Sequence, residues 1–246
     1  MAHVQVYRDD IELESPTLIE GLPGAGLVGK IAADHIVEQF DMAYYGAVFC
    51  DGLPQVAVYH GDGHDTMPPV RLYADAERDL LVLQSDVPVS PNSADQFAGC
   101  ITGWLQEHDV FPLYLSGLPT EKDGVPEVYG IAAGDTADRL EAAGITHPHE
   151  GGLVSGPTGA LLHRATEIGF DAVGLIVETE AQFPDPESAR SLIAHGIEPL
   201  TDIEVDTDEL VERAEEIRQA KEQLATRLHE SENESSSEAK PIRGFQ

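Results

Sequence analysis

The stretch TLIEGLPGAGLVGKIAADHIVEQF, residues 17–40, predicts a β-strand that turns directly into an α-helix. The apolar TLIEGLP segment has the composition of a strand. Pro23 and the glycines that follow it favour a tight turn. Beyond the turn the apolar residues recur at helical spacing, and one side of the predicted helix carries Val28, Ile31, Ala32, Ile36 and Phe40.

The glycines of this turn partly match two phosphate-binding patterns. Gly24, Gly26 and Gly29 follow the G-x-G-x-x-G spacing of dinucleotide-binding folds. Gly24, Gly29 and Lys30 follow most of the G-x-x-x-x-G-K pattern of triphosphate loops. The spacing therefore raises the alternative of a nucleotide-dependent, ligase-like enzyme that uses residues 24–30.

The residues around the glycines argue against a phosphate loop. Ile31 stands where a triphosphate loop carries the Ser or Thr that ligates Mg²⁺. The acid that a dinucleotide fold places about 20 residues on is matched only by Asp51, in a chain full of acids. We therefore predict a structural turn that allows close helix–sheet packing, formed by Gly21, Pro23, Gly24, Gly26 and Gly29.

The charge of the chain is strongly one-sided. Its 45 Asp and Glu residues against 14 Lys and Arg residues give a net charge of −31, and the acids are spread along the sequence. Such a surface predicts the salt-rich cytoplasm of a halophilic archaeon, where molar salt screens charges over about 3 Å. A basic patch for nucleic acid or an anionic membrane is missing, so we expect neither partner.

The two cysteines and the apolar runs bound the class of protein. Cys50 and Cys100 are too few for a disulfide framework or a thiolate metal site. One disulfide between them is possible, but we favour two reduced thiols in the core of a cytoplasmic protein. The N-terminus lacks the pattern of a signal peptide, and no apolar stretch approaches the ~18 residues of a membrane span.

The rest of the chain alternates between strand-like and helix-like segments. Predicted strands lie at YYGAVF, QVAVYH, RDLLVLQSD, FPLYLSG, VYGIAA and DAVGLIVET. Predicted helices run from residue 92 or 93 to 108 and from 135 to 143, and GGLVSGPTGALLHRATEIGF repeats the strand, turn and helix order. This alternation predicts the α/β class, as a three-layer α/β/α sandwich with a mainly parallel sheet.

The domain organisation is predicted to be simple. Residues 1–231 form one α/β domain that includes a long C-terminal helix from about 207 to 230. Residues 232–246 are polar and of low complexity, and we expect them to be disordered. Within this tail a run of Ser and Glu is followed by Lys240, Ile242, Arg243 and Phe245.

Four segments together resemble the proteasome assembly chaperone family in its archaeal branch. They are GLPGAGLVGKIAADHIVEQF (21–40), SDVPVSPNSADQFAGCITGWLQEH (85–108), SGPTGALLHRATEIGFDAVGLIVETE (155–180) and FPDPESARSLIAHGIEPLTDIEVDTDEL (183–210). The resemblance covers residues 15 to 215. It implies a phosphorylase-like α/β/α fold, homo-oligomers, and non-enzymatic binding to proteasome α-subunits or the core particle, without cofactor.

The resemblance also directs attention to the end of the chain. Some family members carry a hydrophobic–Tyr–any residue tail that inserts between α-subunits, where its carboxylate pairs with a lysine. Here the corresponding residues are Gly244, Phe245 and Gln246, so an aromatic is present but the hydrophobic residue is replaced by glycine. We expect the tail to dock; the alternative is a terminus without a role.

No catalytic or metal-binding set emerges from the remaining residues. The G-x-S-x-G nucleophile motif is missing, and Ser116 and Ser155 each precede a glycine, which turn chemistry explains as well as a ligand site does. His147, His149 and Glu150 cluster in a predicted loop, where surface histidines are the simpler interpretation. We predict no catalytic residue and no metal site.

Overall fold

The computed structural model describes residues 3–51, 53–59, 64–120, 124–180 and 184–212. Its strands are β1 (His3–Val6), β2 (Thr17–Gly21), β3 (Ala43–Phe49), β4 (Val58–Tyr59), β5 (Thr66–Met67), β6 (Val70–Asp75), β7 (Leu80–Ser85), β8 (Phe111–Pro119), β9 (Val128–Ala133) and β10 (Ala172–Thr179). Its α-helices are α1 (Val28–Gln39), α2 (Ala94–Glu107), α3 (Ala137–Ala142), α4 (Gly156–Ile168), α5 (Pro186–Leu192) and α6 (Glu198–Thr201).

An 8-stranded mixed sheet forms the centre of the fold, in the order β1-β3-β6-β7-β2-β8-β10-β9. The four neighbours β7, β2, β8 and β10 are parallel, and β3 points in the same direction. Strands β1, β6 and β9 run the opposite way and pair antiparallel with their neighbours. The prediction of a mainly parallel sheet is confirmed for its central strands.

Helices cover both faces of this sheet, which confirms the three-layer arrangement. On one face α1 and α5 pack over Ile19, Val82 and Leu175. On the other face α2 and α4 pack over Leu18 and Leu83. Successive residues of β2 thus enter opposite cores, because side chains alternate across a strand. A parallel strand covered on both faces reads as a continuous apolar run, as β10 does from Ala172 to Val177.

Several local predictions differ from the structure. Strands β1 and β6 were not predicted. Strand β6 carries Arg71, whose burial beside Asp86 the sequence does not reveal. The predicted strand QVAVYH contains only the short β4, which pairs with β5 in a separate hairpin. No strand precedes α4: residues 151–155 form an irregular loop, because they pair with no neighbouring strand.

The expectation of two reduced thiols is wrong. Cys50 at the end of β3 and Cys100 on α2 form a disulfide, with their Cα atoms 6.0 Å apart. Helix α2 lies over the face of the sheet that includes this end of β3, and it brings together two cysteines that are 50 residues apart in sequence. Sequence spacing alone does not report such proximity.

Most of the predictions for the C-terminal part of the chain concern residues beyond 212, which the structure does not describe. Residues 208–212 are helical, whereas residues 213–230 of the predicted long helix and the predicted tail 232–246 lie outside the described residues. Within the described part of the chain, no helix combines the length and apolar character needed to cross a membrane.

Candidate functional site

The glycine turn, residues 21–29, joins β2 to α1 at the carboxyl edge of the sheet. A 3₁₀ helix (Ala25–Leu27) connects the two elements, and Gly26 adopts a left-handed conformation with φ of 63°. A Cβ atom at Gly26 would collide with the Oγ1 of Thr179 in β10. Both the backbone conformation and the close approach therefore require glycine at this position.

Two other glycines of the turn also lie against neighbouring atoms. A Cβ at Gly21 would collide with the Cβ of Ala33, and one at Gly29 would lie 3.1 Å from the Cβ of Leu115. Gly24 differs from them, since a Cβ there would meet nothing within 4 Å and its φ of −137° is ordinary extended backbone. Gly24 is thus the member of the turn that borders open space.

Lys30, the cation of the phosphate-loop pattern, belongs to a network of ion pairs. Its Nζ lies 2.9 Å from an Asp34 oxygen and 3.5 Å from an Asp86 oxygen. Asp86 also pairs with buried Arg71 at 2.6 Å. Burial by itself would raise the pKa of Asp86, but the bond and charge of Arg71, with Lys30, outweigh it and lower that pKa. Lys30 therefore forms ion pairs with two aspartates of the fold, Asp34 and Asp86.

Asp185, the N-cap residue of α5, fastens the glycine turn to β10. Its Oδ1 accepts the Ser188 backbone N–H at 3.1 Å and caps α5, while its Oδ2 accepts the Thr179 hydroxyl at 2.9 Å. Its own backbone N–H donates to the Gly26 carbonyl at 2.8 Å. One aspartate thus links α5, β10 and the turn.

Glu20 is a buried carboxyl at the point where two central strands separate. Strands β2 and β8 pair only as far as Ile19 and Leu113, whereas β8 stays paired with β10 to its last residue. Beyond that point the Glu20 carboxyl takes the place of the ladder, since it accepts the Leu115 and Leu22 backbone N–H groups, both at 2.9 Å. A side chain therefore bridges the opening between the strands.

The environment of Glu20 changes its acidity. Burial raises the pKa of this carboxyl to about 7, although the backbone N–H groups of Leu115 and Leu22 and the Thr158 hydroxyl partly stabilise the charge. The Thr158 hydroxyl, in the first turn of α4, lies 3.2 Å from one carboxyl oxygen. Glu20 thus connects the glycine turn with α4 and changes charge near neutral pH.

A cleft of about 780 Å³ opens above the separated strands. After β2 the chain continues toward β3, and after β8 it continues toward β9 and β10, on the other side of the sheet. In open α/β sheets such a switch point is where ligands bind. The cleft is lined by residues 23–25, 115–119, 148–158, Tyr129, Ile131 and Ile176.

The α4 loop, residues 148–156, forms one wall of this cleft. A Cβ at Gly151, Gly152 or Gly156 would meet nothing within 4 Å. Leu153 between them is 88% exposed, and Leu118 on the opposite wall is 41% exposed. The cleft therefore has an apolar, solvent-exposed rim next to accessible backbone.

The rim also carries acidic groups close to an aromatic residue. The Tyr129 hydroxyl donates to a Glu127 oxygen at 2.6 Å, and the Glu127 backbone N–H donates to Glu178 at 3.1 Å. This bond to Glu127, with burial second, raises the pKa of Tyr129 to about 12. Neither Lys nor Arg occurs among the described residues that line the cleft.

The residues singled out from sequence are distributed unevenly around this cleft. Ser116, Ser155, Pro23 and Gly24 line it, whereas Gly21, Gly26 and Gly29 are packed beneath or beside it. Gly244, Phe245 and Gln246 lie outside the described residues. Glu20 and Leu153 were missed: an acid gives no signal in so acidic a chain, and the apolar pair Leu153–Val154 suggested a strand.

The His147–His149–Glu150 cluster does not form a metal site in the structure. The Nδ1 of His147 lies 3.0 Å from the neighbouring Pro148 carbonyl, and His149 approaches Glu127 at 3.7 Å. Among the described residues, no three His, Cys, Asp or Glu side chains are placed to hold a metal ion together.

Comparison with known proteins gives relatives over most of the chain. The uncharacterized protein MJ0106 of Methanocaldococcus jannaschii is 31% identical over 89% of this chain and 90% of its own. The structure of PbaA from Pyrococcus furiosus, an archaeal homologue of proteasome-assembly chaperone, has a TM-score of 0.76 at 25% identity and covers 95% of this chain and 96% of PbaA.

A second solved structure supports the fold alone. PbaB of Pyrococcus furiosus, an archaeal proteasome activator, has a TM-score of 0.77 at 22% identity and covers 91% of this chain and 98% of PbaB. The sequence pattern of the PAC2 family matches residues 18–225, which include the glycine turn, the cleft and α5. The resemblance to the proteasome assembly chaperones is confirmed: the chain belongs to the PAC2 family.

Proposed function

We propose that this protein is a non-enzymatic proteasome assembly chaperone that binds the proteasome core particle or its α-subunits. The observation that carries the proposal is the family match over residues 18–225, together with the likeness of the whole fold to PbaA. A role at the proteasome would place the protein in the cytoplasm. We further propose that it works as a homo-oligomer built from one α/β domain, residues 1–231.

The contacts of the glycine turn support binding rather than nucleotide chemistry. A triphosphate loop needs a cation directed at its ligand. Lys30 instead lies against Asp34 and Asp86. The described residues that line the cleft beside the turn include Glu150 but neither Lys nor Arg. Phosphate binding is unfavourable there because no cation faces the ligand. We assign Gly21, Pro23, Gly24, Gly26 and Gly29 to a structural turn, in which close neighbours restrict Gly21, Gly26 and Gly29 and leave Gly24 open.

The proposed partner contact has two parts. The α/β domain provides a surface, and Gly244, Phe245 and Gln246 provide a tail that docks between α-subunits through its aromatic ring. Such a tether raises the effective concentration of the domain at its partner. Because molar salt screens long-range charge, the contact must depend on apolar burial and close fit.

Size-exclusion chromatography with purified proteasome α-subunits in molar KCl tests the proposal. The full chain is expected to co-migrate with the α-subunits, and a form that lacks residues 244–246 is expected to lose most of this binding. Co-migration of the shortened form at full strength would contradict the role of the tail. Absence of co-migration by both forms would contradict the proposed function.

A thermal-shift measurement with Mg-ATP tests the enzyme alternative. A ligand that binds the folded state raises the melting temperature. We expect no shift for this chain up to millimolar Mg-ATP. A saturable shift that disappears in Lys30→Ala would favour the nucleotide-dependent enzyme instead.

A further inference from the structure

The cleft between β2 and β8 has no role in the proposed docking of the tail on the proteasome. Its volume of about 780 Å³ falls in the range of ligand sites. Its opening is held by Glu20, which bonds the Leu22 and Leu115 backbone N–H groups where the strands separate. A cavity maintained by a buried, bonded carboxyl persists without a ligand, so it is available for one.

The exposed rim indicates an apolar ligand. Leu153 is 88% exposed on one wall and Leu118 is 41% exposed on the other. Covering these leucine side chains is favourable because it removes apolar surface from water. Gly151 and Gly152, where a Cβ would meet nothing within 4 Å, leave backbone groups accessible beside Leu153. Apolar side chains on an extended backbone suit such a surface.

The charges indicate that the ligand is also basic. Glu150 lines the cleft, and Glu127, with its side chain 59% exposed, lies at the rim beside His149. Glu178 adjoins Glu127. Since neither Lys nor Arg is among the described lining residues, an anionic ligand would lie among like charges, whereas Lys or Arg would be stabilised.

The chain itself contains one short segment with this chemistry. Lys240, Ile242, Arg243 and Phe245 place two cations and two large apolar side chains within residues 240–246, directly after a run of Ser and Glu. Residues 213–228 also carry four Lys and Arg beside large apolar residues, but Glu residues are interspersed there, whereas residues 240–246 contain no acidic side chain. Even with residues 213–230 in the predicted helix, residues 213–239 could span roughly 55 Å, which exceeds the diameter expected of a domain of this size.

We propose that the cleft binds residues 240–246 of the same chain. Ile242 and Phe245 cover the apolar rim formed by Leu118 and Leu153. Lys240 and Arg243 lie beside Glu127 and Glu150. The regulatory consequence rests on the proposed function: a tail held in the cleft is not available to a proteasome α-subunit, so binding to the proteasome must displace it.

Photo-cross-linking in the full chain tests this proposal without the proteasome. The photo-reactive residue benzoylphenylalanine replaces Phe245, and cross-linked fragments are mapped by mass spectrometry after irradiation. We expect the main cross-links within residues 115–119 and 148–156. Cross-links spread over other surfaces, or none to the protein, would overturn the proposal.

Two matched substitutions show whether the rim is responsible. Leu153→Ser, which removes apolar surface without adding charge, is expected to reduce the cross-link yield at least about ten-fold, whereas Tyr59→Ser, at an 80% exposed residue of β4, should leave it unchanged. Both side chains are exposed, so the melting temperatures should match wild type. Equal yields in the two variants would overturn the assignment of the rim.

Peptide competition and isotope mixing identify the occupant. An excess of the peptide KPIRGFQ should suppress the cross-link, whereas the same peptide with Glu at both basic positions should not. Suppression by both peptides or by neither would overturn the role of charge. In a mixture of heavy and light chains, cross-links should stay within one copy. Mixed-isotope cross-links would assign the cleft to the tail of a second copy and overturn the intramolecular form.

Discussion

Two glycine-rich segments lie at the same edge of the sheet and use glycine for opposite reasons. In the glycine turn, Gly21 and Gly26 have neighbours so close that a Cβ atom would collide with them. In the α4 loop, Gly151 and Gly152 face open space. The first segment is closed by packing, and the second keeps the wall of the cleft accessible.

The comparison shows that a glycine pattern does not by itself indicate a ligand. The turn with the phosphate-loop spacing is largely packed against β10 and α1, while the α4 loop borders the cleft. Gly24 is the exception in the turn, because it both lacks close neighbours and lines the cleft. The atoms near a Cβ placed at each glycine show whether that glycine is required by packing or borders open space.

The largest expected effect is the loss of the packed turn in Gly26→Val. A branched side chain at φ of 63° is strained, and it would displace Thr179 of β10. Together these costs should lower the free energy of unfolding by roughly 3–5 kcal/mol. Urea denaturation followed by circular dichroism measures this change.

Gly24→Ala is the matched control within the same turn. It should stay within about 0.5 kcal/mol of wild type because it meets nothing and needs no special conformation. Equal destabilisation by the two variants would show that the turn does not depend on the packing of Gly26.

The next effect concerns Glu20, which bonds Leu22 of the glycine turn and Thr158 in the first turn of α4, directly after the α4 loop. Its pKa of about 7 exceeds the ordinary value of 4.5, so the folded protein holds a proton that the unfolded chain releases between these values. The contribution to stability is therefore complete below about pH 4.5, falls as pH rises to about 7, and is level above. The fall should be roughly 3 kcal/mol.

Glu20→Gln should remove this component of the pH dependence, since an amide does not titrate. The measurement is urea denaturation of wild type and variant at several pH values from 4 to 8. The exposed Glu12→Gln serves as control and should keep the wild-type slope. Identical slopes for all three proteins would contradict a raised Glu20 pKa.

A smaller effect is expected when the Asp185 side chain, which links β10 to α5, is removed by Asp185→Ala, because the backbone bond from residue 185 to Gly26 remains. The change takes away the cap of α5 and leaves the Thr179 hydroxyl without this acceptor. We expect a loss of about 2–3 kcal/mol in the free energy of unfolding. Asp138→Ala, at an exposed position in the first turn of α3, should change it by less than half as much.

The smallest effect should come from the open segment. Gly152→Ala meets no neighbouring atom and requires no left-handed conformation. Alanine should therefore leave stability unchanged or raise it by about 0.4–1 kcal/mol, because the unfolded chain loses freedom. Thermal unfolding measures this change, and a loss above about 1 kcal/mol would show that the α4 loop is packed after all.

The sequence predicted the elements whose pattern is local. Helix α1 follows from the recurrence of Val28, Ala32 and Ile36, and β10 follows from an unbroken apolar run. Strand β6 was missed because Arg71 and Tyr73 interrupt its apolar character, although Arg71 is buried against Asp86. Partners distant in sequence decide such cases, and a single sequence does not display them.

The candidate site was predictable only in its outline. The sequence leaves a ligand site open as one interpretation of Ser116 and Ser155, and both residues line the cleft. The separation of β2 from β8, and the carboxyl that bridges it, depend on three-dimensional register. The tail residues 244–246 carry a prediction that only a binding experiment tests.

The bond between Cys50 and Cys100 ties the outer, antiparallel part of the sheet to helix α2. A link across 50 residues restricts the disordered chain far more than the folded one, by about 4 kcal/mol in the chain-entropy description. Reduction would thus lower stability chiefly through the unfolded chain, even where the fold of the native state is kept. The persistence of the folded protein in a cell would then depend on the thiol chemistry around it.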